Sequence, residues 1–163
     1  MTGWVSYTLG RTERQVEGLN RGEWYVSRFD RTHTLNVVAQ YELNKKWSFG
    51  ANFSYVSGVP YTLPEQKILY AGSYLPLTLQ GTRGNIRVPA YHRLDFSATH
   101  KNKKALFGKG ESEWVFGLYN VYNRRNPFSI YAQTNPDNPT KTEAIQLSII
   151  GSVIPSVTYN FKF

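Results

Sequence analysis

The segment Trp47-Ser48-Phe49-Gly50-Ala51-Asn52-Phe53-Ser54-Tyr55-Val56 alternates with a period of two residues. Its odd positions are Trp47, Phe49, Ala51, Phe53 and Tyr55, and its even positions are Ser48, Gly50, Asn52, Ser54 and Val56. Successive side chains of a β-strand point to opposite faces, so this spacing predicts a strand with one apolar, mainly aromatic face and one small or polar face. Upstream, Thr32 to Leu43 repeats the pattern. Leu35, Val37, Ala39, Tyr41 and Leu43 oppose Thr32, Thr34, Asn36, Gln40 and Glu42, with only Val38 out of place. Asn44-Lys45-Lys46 separates the two runs and reads as a tight turn, which makes them an antiparallel hairpin.

Further runs follow the same rule. From Gly3 to Arg11, Val5, Tyr7 and Leu9 oppose Ser6, Thr8 and Gly10, and Trp4 breaks the pattern. Between Tyr91 and His100, Leu94, Phe96 and Ala98 oppose Arg93, Asp95, Ser97 and Thr99. Glu113 to Tyr122 is apolar on both faces, so its orientation stays open. From Ile145 to Phe163 one parity is kept, which reads as a single long strand bent near Pro155, or alternatively as two strands broken at Gly151. The expectation is an all-β chain of about six strands in up-and-down hairpins. Connections alternate in length: residues 13–29, 57–88 and 123–142 are long and rich in Gly, Asn, Pro, Tyr and Arg, whereas 44–46 and 101–111 are shorter and Lys-rich. Transmembrane antiparallel β-barrels have this asymmetry, with short periplasmic turns and long extracellular loops.

Composition is compatible with that reading. Aromatic residues make up 15% of the 163, led by 12 Tyr and 9 Phe, with one Met and no Cys, which favours strands and removes disulfides, thiolate metal sites and cysteine nucleophiles. No apolar run reaches the roughly 18 residues of a spanning helix, and the mean hydropathy is −0.46. A barrel strand needs an apolar residue only at about every second of 9–11 positions, so its average hydropathy stays low. The segment from Met1 to Tyr7 has no basic region followed by an apolar core and therefore no export signal, so a barrel of the outer membrane is expected to begin upstream of Met1. The net charge of +8 raises nucleic acid as a partner, but the Lys residues sit largely in two short connections, and many Arg residues, such as Arg21, Arg83, Arg124 and Arg125, lie between strands. No nucleic-acid partner is expected.

Aromatic placement is an independent check. Trp47 and Trp114 each follow a short connection, and Tyr159, Phe161 and Phe163 close the chain. All should lie at one height, with Tyr7 and Tyr55 at the opposite end, as in the aromatic girdles of barrels at the two interfaces with lipid headgroups. The ending Tyr159-Asn160-Phe161-Lys162-Phe163 resembles the signal that the barrel-assembly machinery reads by strand pairing.

Three stretches carry a family resemblance: Arg87-Val88-Pro89-Ala90-Tyr91-His92-Arg93-Leu94-Asp95-Phe96-Ser97, Leu118-Tyr119-Asn120-Val121-Tyr122-Asn123-Arg124-Arg125-Asn126-Pro127-Phe128, and Ile154 to Phe163. With Gly22-Glu23-Trp24-Tyr25 and Leu43-Asn44-Lys45-Lys46-Trp47 they span essentially the whole chain. In this order they resemble the closing strands of TonB-dependent receptors, especially the type that begins with a carboxypeptidase-regulatory-like extension. The resemblance implies that residues 1–163 are the C-terminal part of a barrel of about 22 strands, without its N-terminal strands or plug domain. It implies a place in the outer membrane, contact with lipid and with the rest of the receptor, and coupling to TonB only through the absent plug. The implied function is uptake of a scarce nutrient such as a siderophore, glycan or peptide. The competing reading is a small stand-alone barrel or adhesin-like protein, which needs about eight strands to close.

No catalytic centre, metal site or cofactor is expected. His33, His92 and His100 fall on the apolar parity of separate strands, where end or interface positions explain them. Arg93 and Asp95, two apart on the polar parity, could form an ion pair inside the barrel. Asn135-Pro136-Asp137-Asn138-Pro139 has oxygen ligands but no calcium-loop periodicity, so it reads as a turn. Ligand contacts belong in the long loops, where Trp24, Tyr25, Tyr61, Tyr70, Tyr74, Arg83 and Tyr131 offer stacking surfaces and donors for a sugar, chelated iron or a peptide. The same residues could instead pack the loops together.

Overall fold

The computed structural model describes residues 1–79, 82–102 and 110–162. Strand is the dominant structure, and one short 3-10 turn at Asn20–Gly22 is the only helical element among these residues. Six strands form one antiparallel sheet: β1 (Thr2–Leu9), β2 (His33–Glu42), β3 (Trp47–Val56), β4 (Tyr91–Asn102), β5 (Glu111–Tyr119) and β6 (Ile154–Lys162). Each pairs with its neighbours in chain order, and β1 and β6 are the two edges. The sheet is open, and no closed barrel forms among the described residues.

The register turns parity into rows. Trp47, His100, Trp114 and Tyr159 are successive cross-strand partners, as are Tyr41, Phe49, Ala98, Phe116 and Val157. Further along the strands come Gly3, Ala39, Ala51, Phe96, Leu118 and Pro155, then Val5, Val37, Phe53 and Leu94, then Tyr7, Leu35, Tyr55 and His92. Directly opposed residues share a face. The apolar sets of all six strands therefore merge into one surface. This settles the orientation of β5: Trp114, Phe116 and Leu118 join the apolar face, while Val115 and Tyr119 lie on the polar one. The two exceptions to alternation, Trp4 and Val38, are partners on that polar face.

The hairpin turn between β2 and β3 is set by Asn44, whose Oδ1 accepts the N–H groups of Lys46 at 2.8 Å and Trp47 at 2.9 Å. That is an Asx turn, the local reason for Asn at this position. The Lys-rich connection after β4 lies mostly in 103–109, outside the described residues. All three long loops are at the other end of the sheet.

The long loops contain strands that alternation did not reveal. Glu13–Arg14 pairs with Tyr25–Val26, Pro60–Tyr61 with Ile86–Arg87, Gln66–Tyr70 with Ser73–Leu77, and Ser129–Thr134 with Thr142–Leu147. The last pairing corrects the single long strand expected from Ile145 onward. Thr142–Leu147 belongs to a loop hairpin, with Ile145 opposite Tyr131, and only Ile154–Lys162 enters the main sheet. The chain bends between them at Ile149 and Ser152, and at Gly151 a Cβ would stand 2.7 Å from Arg125 Cγ. Parity survives the break because 148–153 is an even number of residues. Pro155 sits within β6 rather than at a bend; on an edge strand its missing N–H can face away from the partner.

Burial is inverted relative to a water-soluble domain. The largest fully buried side chains among the described residues are Asn120, Asp30 and Ser27, all polar, while Val5, Leu9 and Val157 are each more than 60% exposed. Accessible surface is 11728 Å²; a compact monomer of this mass has roughly 8,300 Å². A main sheet with no second layer packed on it among the described residues explains both.

Candidate functional site

The apolar face has a chemical gradient along the strand axis. Its middle rows hold Val5, Val37, Phe53, Leu94, Ala51, Phe96, Leu118, Phe49, Ala98, Phe116 and Val157, without a charge and with the Tyr41 hydroxyl as their one polar side-chain group among the described residues. At the short-turn end, Trp47 lies 4.6 Å from His100 and Trp114 lies 4.7 Å from Tyr159, centroid to centroid. At the loop end, Tyr7 stacks on His33 at 6.2 Å and donates to or accepts from its Nδ1 at 2.8 Å. His92 is bracketed by the rings of Tyr55 at 6.4 Å and Tyr122 at 5.5 Å. Rings with a polar edge thus frame an aliphatic and Phe-rich band, as expected for Trp47, Trp114, Tyr159, Tyr7 and Tyr55. Each of His33, His92 and His100 finds an aromatic neighbour at one of the two ends.

On the opposite face Arg93 organises a polar cluster. It binds Asp95 at 2.8 Å and donates to the hydroxyls of Tyr91 at 3.0 Å and Tyr119 at 2.7 Å. The other Asp95 oxygen accepts the Asn120 N–H at 3.0 Å. Asn120 has a left-handed φ of 56°, which Asn tolerates better than most residues. Its amide binds the carbonyls of Arg124 and Ser152, so β5 ends there and the chain is fastened to the approach of β6. The expected Arg93–Asp95 pair is therefore the centre of a larger network.

The loop end is organised by Asp30, which is fully buried. Arg87 donates to its Oδ2 at 2.6 Å and, through its other nitrogen, to the Gly58 carbonyl at 2.9 Å. The Thr12 N–H donates to Oδ1 at 2.7 Å and the Thr32 hydroxyl to Oδ2 at 3.2 Å. Burial pushes the Asp30 carboxyl up, but the hydrogen bonds from Arg87, Thr12 and Thr32 outweigh it and leave the group below its usual value. One carboxylate thus ties the first long loop to the second. Beside it a cavity of about 120 Å³ is lined by Arg14, Tyr25, Arg28, Thr62 and Arg83 among others.

The second and third loops are tied by Lys67, whose ammonium donates to the carbonyls of Pro139 and Lys141, both at 2.7 Å, and to the Thr134 hydroxyl at 3.1 Å. Asn135 caps the turn at Pro136 by accepting the N–H groups of Asp137 and Asn138, each at 2.8 Å, and it also contacts Glu143. The turn reading of this segment is the observed one.

Of the seven loop residues singled out from sequence, the structure brings together two. Arg83 stacks over Tyr25 at 5.4 Å, and both line the cavity. Trp24 and Tyr70 are exposed, Tyr70 at a hairpin tip; Tyr61 is paired with Ile86, Tyr74 with Leu69 and Tyr131 with Ile145. Of the terminal aromatics, Tyr159 stacks on Phe161 at 6.0 Å and Phe163 lies outside the described residues. Arg14, Arg28, Asp30, Lys67 and Arg87 carry no sequence signal of their own, because tertiary contacts between loops give them their roles. Among the described residues no three His, Asp or Glu side chains gather as a metal site. Comparison with protein families, with curated proteins and with solved structures returns no match.

Proposed function

We propose that this chain is the C-terminal barrel segment of a TonB-dependent outer-membrane receptor, and that the whole receptor imports a scarce nutrient. The observation that carries the reading is the continuous apolar face of the six-stranded sheet, framed at both ends by aromatic rings and left without a covering layer among the described residues. In water such a surface would be an association site; in a bilayer it is the surface that meets lipid. The polar face, with Arg93 and Asp95, then turns toward the lumen and its plug. β1 and β6, the two outermost strands of the sheet, join the remaining strands of the receptor. The long loops, where Arg83 lies over the Tyr25 ring, face outward, where ligand is captured. The order of the sequence stretches quoted above supports the family; the sheet supports the architecture.

The protein is expected in the outer-membrane fraction of its host, and uptake of the imported nutrient should stop when TonB is disabled. Recovery of the full-length protein in the soluble fraction would overturn the reading.

Tyr159, Phe161 and Phe163 take the role of assembly signal. Tyr159 and Phe161 lie in β6 at the short-turn end of the sheet, and Phe163 follows them in the sequence, within reach of the assembly machinery on this reading. Deleting Phe163 from the full-length receptor should lower the amount inserted, while inserted molecules bind ligand normally. Normal insertion with weakened ligand binding would place the C-terminus in function rather than biogenesis.

A further inference from the structure

The cavity beside Asp30 has an unbalanced charge. Arg14, Arg28 and Arg83 reach its wall from three chain segments, and no Asp or Glu lines it. The guanidinium groups of Arg14 and Arg28 lie 5.8 and 4.7 Å from the centroid of the same ring, Phe29, and that of Arg83 lies over Tyr25. Stacking on a ring fixes the guanidinium plane and leaves N–H edges free for a planar or tetrahedral acceptor. Nearby carboxylates are already engaged: Glu13 by Arg11 at 2.6 Å and Asp30 by Arg87 at 2.6 Å. Among the described residues none of the three cavity arginines forms an ion pair. Two cations drawn to one ring repel each other, and an anion between them would relieve that repulsion with charge-assisted hydrogen bonds.

Size and donor chemistry narrow the ligand. A cavity of about 120 Å³ is well below the 300–1,000 Å³ of sites that hold a whole drug-sized molecule. It suits one oxyanion, or the charged end of a larger molecule. Thr62 accepts the Gly84 N–H at 3.0 Å, so its own hydroxyl proton is free to donate. Three cations and a hydroxyl match a doubly charged group with three exposed oxygens better than a carboxylate, which offers one charge and two oxygens.

We propose that this cavity binds a phosphate group, with Arg14, Arg28 and Arg83 as its ligands and Thr62 as an additional donor. The site rests on loop geometry alone and stands whether or not the sheet crosses a membrane. The group can come from a soluble phosphate ester or from a phosphorylated lipid headgroup at the outer surface.

The test is calorimetric titration of the full-length protein in detergent with inorganic phosphate at low ionic strength. Saturable binding is expected, with acetate at least about tenfold weaker and with Arg28→Gln and Arg83→Gln each weakening phosphate by about tenfold or more. Amide exchange at Ser27 and Val88, which are bonded to Thr12 and Val59, checks that the loops of each variant keep their structure. Where a Gln variant loses that protection, Arg28→Lys and Arg83→Lys are measured instead, and a weakening of at least about threefold is expected from the loss of the bidentate fork. Competition by a sugar phosphate identifies a soluble source, and competition by a phosphorylated glycolipid identifies a headgroup. No saturable binding up to about 10 mM phosphate, acetate equal to phosphate, or unchanged affinity in the well-folded variants would overturn the assignment.

Discussion

Phe53→Arg should cost about 2–4 kcal/mol of stability in a lipid bilayer, whereas Asn52→Arg, one residue away, should cost far less. Phe53 lies on the apolar face between its partners Val37 and Leu94, one row inside the loop-end rings of Tyr7, Tyr55 and His92 and three rows from Trp47 and His100. A guanidinium there must leave water or drag water and headgroups toward the bilayer centre. Asn52 points the other way, between Val38 and Asp95. An Arg at that position gains a carboxylate neighbour and loses no contact with lipid. The measurement is a denaturant titration of the full-length receptor in vesicles, comparing both variants with the parent. Phe49→Arg should behave as Phe53→Arg and Ser48→Arg as Asn52→Arg. Equal damage on both faces would mean that the apolar face is covered by protein instead of lipid.

Asp30→Ala should destabilise the junction of the first two loops by about 2–3 kcal/mol without disturbing the main sheet. Removing one partner of a buried charge pair costs about 3–5 kcal/mol when the other charge stays desolvated. Arg87 is nearly half exposed, with a side-chain exposure of 44%, so it regains part of its hydration and the loss is smaller. Hydrogen exchange reads the effect locally. Protection should fall at the Ser27 and Val88 amides, which close the two loops onto Thr12 and Val59, and should persist at the Val37 and Phe53 amides in the sheet. The same junction should weaken in acid. Because the folded state holds the Asp30 carboxyl below its unfolded value of about 3.9, its stabilisation is complete above that value and disappears as pH falls through the lower, folded one. Loops that stay protected below this range would show that Asp30 is replaceable.

Alternation in the sequence was enough for the sheet. In β1 to β4 the apolar parity, the Asn44 turn and the heights of Trp47, Tyr7 and Tyr55 are all local consequences of a period of two, because strand geometry assigns a face from position alone. The level shared by Trp47, Trp114 and Tyr159 was legible for the same reason: Trp47 and Trp114 each follow a short connection, and Tyr159 lies in the closing residues of the last strand. Local pattern failed where two solutions have the same parity. β5 is apolar on both faces, and only pairing with β4 and β6 chose between them. The segment from Ile145 onward keeps its alternation across an even-numbered break, so the departure of Thr142–Leu147 into a loop hairpin was invisible until Ser129–Thr134 was seen to take its hydrogen bonds. The loop end depended wholly on tertiary structure. Asp30 and Arg87 are 57 residues apart and Lys67 is 72 residues from Pro139. A charge acquires its role there from whichever partner the folded chain delivers, and no periodicity in the sequence records that delivery.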